Sequence, residues 1–134
     1  MLIKEEFMND IRPISTNHAP QAIGPYSQAI AYGNIIFTSG QIPLRIDGSF
    51  VISGIKEQTK QVLENLKNIL NESNSSLDNV VKTTVFLTDM NDFNDMNAIY
   101  ETYFKHKPAR STICVKELPK KALIEIECIA VRNI

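Results

Sequence analysis

Two glutamates near the end of the chain stand two residues apart, in Ile124-Glu125-Ile126-Glu127-Cys128. In a strand that spacing puts both carboxylates on one face, about 7 Å apart. Partial burial and a neighbouring like charge both raise a Glu pKa, whereas a nearby Arg lowers it. A Glu tuned toward neutrality is a competent proton shuttle. The plain alternative is a structural charge paired with Lys or Arg at an interface. Arg110 is the second candidate, opening a strand directly after Pro108-Ala109. It is either a strand-end Arg in solvent or a bidentate anchor for a small carboxylate, a geometry that guanidinium provides and ammonium does not. By alternation Arg110 shares a face with Thr112 and Cys114. Third, Ile23-Gly24-Pro25-Tyr26-Ser27-Gln28 and Thr38-Ser39-Gly40-Gln41-Ile42-Pro43 are Gly/Pro turns beside strand ends. They could aim Tyr26, Ser39 and the Gly40 N–H into a cleft, although half-buried packing is the commoner outcome for such a Tyr. Metal chemistry lacks its ligands: His18 and His106 are isolated and no Cys-x-x-Cys occurs.

The elements that must hold these residues follow from periodicity. Ala29–Tyr32 and Ile35–Thr38 flank Gly33-Asn34, two residues able to take positive φ, and predict a hairpin. Ile11 to Ser15 adds an edge strand, since Pro13 fits poorly in a central one. Ile55, Val62, Leu63, Leu66, Ile69 and Leu70 have helical spacing, with Lys56, Lys60, Glu64 and Lys67 on the wet face. The polar run 71–76 reads as a loop. A strand is expected over 79–88, then a helix through Phe93, Met96, Tyr100 and Tyr103, N-capped by Thr88 or Asp89. Strands over 111–117 and 122–131 follow, separated by a Pro119 turn. This order predicts an α+β domain spanning 1–134, one sheet with helices on one face. On the last strand Ile124, Ile126, Cys128 and Ala130 form an apolar face for those helices. The opposite face, Leu123, Glu125, Glu127, Ile129 and Val131, is apolar apart from its two carboxylates. Burial of that second face by another copy, in a symmetric oligomer, is the simpler reading.

Composition narrows the function. The chain has 134 residues, 43% hydrophobic and 22% charged, with 14 Lys+Arg against 15 Asp+Glu and a net charge of −1. That describes an ordinary folded domain, and no apolar run approaches the ~20 residues of a membrane span. Near-zero charge without a basic stripe argues against a nucleic-acid partner. Cys114 and Cys128 make no disulfide framework, and both are expected as small buried hydrophobes. The acidic start, Met1-Leu2-Ile3-Lys4-Glu5-Glu6, lacks the basic character of a signal peptide, so a reduced, cytoplasmic protein is expected. Met8 is a candidate alternative start, which would make the residues before it an ornament, and residues 1–14 are expected to be in part an N-terminal extension.

Taken together with Asn17-His18-Ala19-Pro20, Val81-Lys82-Thr83-Thr84-Val85-Phe86-Leu87, Pro108-Ala109-Arg110-Ser111 and the run 124–130, the two turn motifs occur in an ordered series. From about Ser15 onward the chain closely resembles the RidA (YjgF) family of enamine/imine deaminases. The resemblance implies a chorismate-mutase-like α+β fold, a mixed sheet with two helices on one face, assembled as a homotrimer with three sites in clefts between subunits. In that fold the last strand lies inside the sheet. It implies hydrolysis of 2-aminoacrylate, 2-iminobutyrate and similar enamine/imine acids to 2-keto acids and ammonia, with no cofactor. Carried over by motif, Arg110 holds the substrate carboxylate and Glu125 handles the attacking water and its protons. Tyr26 joins them in catalysis, and Ser39, Gly40, Thr112 and Asn97 contact substrate. Many relatives carry Cys where this chain has Thr112, so a thiol role is lost there while a hydroxyl donor remains. The segment Tyr103-Phe104-Lys105-His106-Lys107-Pro108 is shorter than in many members and opens one pocket wall. Other readings are a 2-keto-acid-binding regulatory trimer without turnover, and a ribonuclease or translation inhibitor, against which the charge argues.

Overall fold

The computed structural model of the chain describes residues 10–133, so the expected alternative start at Met8 lies outside the described residues, while the end of the 1–14 extension, Ile11–Ile14, is a paired strand. Six strands and two helices follow one another as β1 (Ile11–Ile14), β2 (Ala29–Tyr32), β3 (Ile35–Thr38), α1 (Ile55–Glu72), β4 (Val80–Leu87), α2 (Phe93–Tyr103), β5 (Ala109–Cys114) and β6 (Ile124–Val131). The strands form one sheet in the order β1-β2-β3-β6-β4-β5. Only β4 and β5 pair in parallel; the other neighbours are antiparallel. A parallel pair needs a crossover, and α2 supplies it. The last strand therefore sits between β3 and β4, and β5 is left at an edge. Among the described residues no helix is long and apolar enough to cross a membrane.

The two helices cover one face. Val62, Leu63, Leu66, Ile69 and Leu70 of α1, and Met96 of α2, pack with Ile36, Val85, Leu87, Ile124 and Ile126 in one fully buried cluster. Each such side chain contributes roughly 1.5–3 kcal/mol of transfer free energy. The alternation expected for β6 holds: Ile124, Ile126, Cys128 and Ala130 are buried, while Glu125, Glu127, Ile129 and Val131 are half-buried or exposed. The same open face carries Ile11, Tyr32, Phe37 and Ile113, which are 45–70% exposed.

Several boundaries differ from expectation. Asn71 and Glu72 complete the last turn of α1 instead of starting the loop. Asp89 caps a short 3-10 turn, accepting from the Asn91 N–H at 2.9 Å, and α2 begins only at Phe93. β5 starts at Ala109 and ends at Cys114, three residues short of the expected end. Cys128 is buried, but Cys114 is exposed. The expectation that both thiols are buried is corrected by topology: Cys114 is the last residue of an edge strand.

Buried amides fasten the loops that carry the site. Gln28 accepts from the Thr16 N–H at 2.7 Å and donates to Pro20 O at 2.8 Å. Gln58 of α1 donates to Val51 O and accepts from the Leu123 N–H, both at 2.9 Å, which sets the entry of β6. Asn65 donates to Leu44 O at 2.9 Å and fixes the chain beyond Gly40. Each satisfies backbone groups that would otherwise be stranded in the core.

Candidate active site

Arg110 lies on the helix-covered face. It stands opposite Thr83 in the parallel β4–β5 register, and Thr83 in turn stands opposite Cys128 of β6. Its guanidinium reaches α2, where Nη1 donates to Asn97 Oδ1 at 2.7 Å. The Tyr100 ring lies 4.7 Å and the Phe93 ring 5.5 Å from Cζ. Such cation–π contacts add about 0.5–2 kcal/mol each and fix the plane of the fork. The group borders a cleft of about 470 Å3 with Glu101, Phe104, Lys107 and Pro108. Thr112, one strand step away on the same face, has a buried Oγ1 with no hydrogen-bond partner among the described residues. Asn97 and Arg110 are thus brought together at one cleft, whereas Thr112 shares the strand face but does not line it.

Glu125 lies on the other face. It stands opposite Phe86 of β4 and packs against the β3–β6 side, where a Cβ added at Gly40 would lie 2.7 Å from its Cδ and 2.9 Å from its Cγ. Only glycine leaves that room. Burial, and secondarily the Glu127 carboxylate, push the Glu125 pKa above the ordinary carboxylate value. Gly40 also borders a cleft of about 270 Å3 with Ile23, Tyr26, Gln41 and Lys120. Tyr26 is 52% exposed there, and its hydroxyl accepts weakly from the Ile23 N–H at 3.4 Å. Ser39 turns its hydroxyl to Ser27 O at 2.5 Å, bracing the same turn.

Arg110 and Glu125 therefore lie on opposite faces of one sheet. The guanidinium fork is held by Asn97 on the helix-covered face, and the carboxylate, raised in pKa, lies against Gly40 on the open face. A model of the endoribonuclease L-PSP family matches residues 16–132. The chain belongs to this family, that of the RidA (YjgF) proteins. It is 54% identical over 122 residues, 90% of this chain and 96% of the relative, to a RutC family protein of Pyrococcus abyssi. It is 46% identical over 126 residues, 91% of this chain and 98% of the relative, to the 2-iminobutanoate/2-iminopropanoate deaminase of Escherichia coli K12. The crystal structure of yeast Mmf1 superposes with a TM-score of 0.90 at 48% identity, covering 92% of this chain and all of that one.

Within this RidA-family chain, sequence reading missed the aromatic bed under Arg110. Phe93 and Tyr100 were legible only as core-facing helix positions. The signal was nevertheless present: Phe93, Asn97 and Tyr100 stand at i, i+4 and i+7, one stripe of α2 facing the strand that carries Arg110. The loop-fastening amides Gln58 and Asn65 were also missed, because an amide inside an amphipathic helix has no sequence mark that tells a staple from a wet residue.

Proposed function

We propose that the chain is a hydrolytic deaminase of small 2-imino acids, of the 2-aminoacrylate and 2-iminobutyrate type, working as a homotrimer. Each site joins the Arg110 face of one protomer to the Glu125 face of another. The observation that carries this reading is the placement of Arg110 and Glu125 on opposite faces of one sheet, Arg110 bordering a cleft and Glu125 lying against Gly40, so that one chain does not join them. A second copy also gives a use to the exposed Ile11, Tyr32, Phe37 and Ile113, an apolar surface of the kind that marks an interface.

In this scheme the Arg110 fork holds the substrate carboxylate, Asn97 holds the fork, and the free Thr112 hydroxyl offers a further donor. The enamine form takes a proton at its terminal carbon and becomes the imine. The imine carbon is already electrophilic, so no covalent nucleophile is required. Glu125 takes a proton from water as its oxygen attacks the carbon of the protonated imine, giving a neutral carbinolamine. It then delivers that proton to nitrogen, takes the hydroxyl proton as the C–N bond breaks, and ammonia leaves behind a 2-keto acid. A raised pKa suits a group that must both accept and return a proton near neutrality. Tyr26 borders the cleft on the Glu125 side, and the bare Gly40 keeps room for the carboxylate. The exposed thiol of Cys114 and the buried one of Cys128 fit a reducing cytoplasm.

The test is release of ammonia and 2-ketobutyrate when purified protein meets freshly generated 2-iminobutyrate. Acceleration over buffer that Arg110→Ala lowers by at least about tenfold at substrate below KM is expected. Equal rates for wild type and Arg110→Ala defeat the proposal, and saturable 2-ketobutyrate binding without turnover would replace it with a binding role.

A further inference from the structure

The core beneath α2 holds one polar pair that packing alone does not require. The Tyr100 and Thr83 hydroxyl oxygens lie 2.7 Å apart, with Thr83 fully buried and Tyr100 6% exposed. Tyr100 belongs to the same apolar cluster as Met96, Val85, Ile126 and Phe104. A buried hydroxyl pair contributes little net stability over an apolar pair of the same shape, and Phe with Val would fill this space. The pair does, however, sit in one particular place. Thr83 is the cross-strand neighbour of Arg110, and the face of the Tyr100 ring lies against the Arg110 guanidinium with Cζ 4.7 Å from its centroid.

The contacts close into a ring. The β4–β5 ladder joins Arg110 to Thr83, the hydroxyl pair joins Thr83 to Tyr100, and the aromatic face joins Tyr100 back to the guanidinium. Asn97 pins a single nitrogen of the fork. A planar group held at one corner can still tilt about that corner, and a ring whose own far end is tethered removes the tilt. Phe93, at 5.5 Å, lies near the guanidinium without any such tether.

We propose that Thr83 and Tyr100 are positioning residues for Arg110: their hydroxyl pair fixes the Tyr100 ring so that the guanidinium presents its free edge to a small carboxylate. This rests on the deaminase reading for its substrate, but the anchoring of a carboxylate is testable without turnover.

The variants are Thr83→Val/Tyr100→Phe, which keeps volume and removes the pair, and Thr83→Ser, which keeps the hydroxyl. Calorimetry with 2-ketobutyrate and 2-iminobutyrate kinetics are the readouts, with the melting temperature recorded alongside. The double variant is expected to melt at or above wild type, to bind 2-ketobutyrate about tenfold more weakly, and to show a KM raised about tenfold with kcat little changed. Thr83→Ser is expected to stay near wild type. Placed on Arg110→Ala, the double substitution should change Kd less than about twofold, because no fork remains to orient. Wild-type Kd in the double variant overturns the proposal, as does an equal loss in the Arg110→Ala background. Should the double variant fail to fold, Tyr100→Phe alone is read in the same way. Wild-type protein that binds 2-ketobutyrate but releases no ammonia defeats the deaminase reading while leaving this one to the calorimetry.

Discussion

The surroundings of Arg110 and of Glu125 are built to different standards. Around Arg110 everything is packed: Asn97, Tyr100, Phe93 and Thr83 come from the protomer's own helix and strand, and Tyr100 and Thr83 belong to its buried interior. Glu125 lies instead on the open face, half-buried against the bare Gly40 of a turn that Ser39 braces through Ser27 O. An anchor must be preorganised before substrate arrives, because orientation is what it contributes. A proton-carrying carboxylate needs instead a partly dry setting and freedom to face two atoms in turn.

The largest effect expected from this contrast is at Glu125. Glu125→Gln should lower kcat by about 10²–10⁴-fold, the usual contribution of acid–base help. The same variant should melt higher than wild type near pH 7. The folded pKa of Glu125 lies above its unfolded value, so its ionisation works against folding as pH rises through that interval. Below the ordinary carboxylate range both states are protonated, and the gain should vanish there. A pH series of thermal melts reads this directly; a stability loss at pH 7 would mean the carboxylate is a structural partner.

Next comes Arg110→Ala, with kcat/KM lowered about 10–150-fold, as expected for loss of a charge-assisted hydrogen bond contributing about 1.5–3 kcal/mol. Steady-state kinetics should place most of the loss in KM, since the carboxylate is gripped in ground and transition states alike. A pure kcat loss would move Arg110 out of the anchoring role.

Smaller again is Gly40→Ala. Its Cβ would crowd Cγ, Cδ and the carboxylate of Glu125, so the whole side chain must turn away from its present position. A kcat lowered about tenfold with an almost unchanged melting temperature is expected. Collapse of the fold would show that the glycine serves the backbone instead. The mildest change is Glu127→Gln. Removing the like charge should lower the Glu125 pKa, moving the corresponding limb of the kcat/KM pH profile to lower pH with little change at the optimum. An unmoved limb would show that Glu127 does not tune its neighbour.

Much of this was readable in the sequence because period-2 alternation and helical spacing carry burial directly. Alternation alone put Ile124 and Ile126 under the helices and Glu125 opposite them. It likewise grouped Arg110 with Thr112, but a single strand cannot tell which face of the sheet its face joins. That answer comes from register, through Thr83 paired with both Arg110 and Cys128. Cys114 was misjudged because strand character says nothing of edge position. Gly40 was visible as a turn glycine, whereas its reason, the Glu125 side chain against it, is a contact spanning most of the chain. Assignment of Arg110, Glu125, Tyr26, Ser39, Gly40, Thr112 and Asn97 to one chemistry came from the family's ordered motifs.

The claim that matters most is that Arg110 of one protomer works with Glu125 of another. Arg110→Ala and Glu125→Gln chains, each strongly impaired alone when substrate is held below KM, can be mixed in equal amounts, unfolded and reassembled together. If each site draws the two residues from neighbouring chains, random mixing restores both to about one quarter of the sites, and about a quarter of wild-type activity should return. A reassembled mixture no more active than its parents would contradict the account.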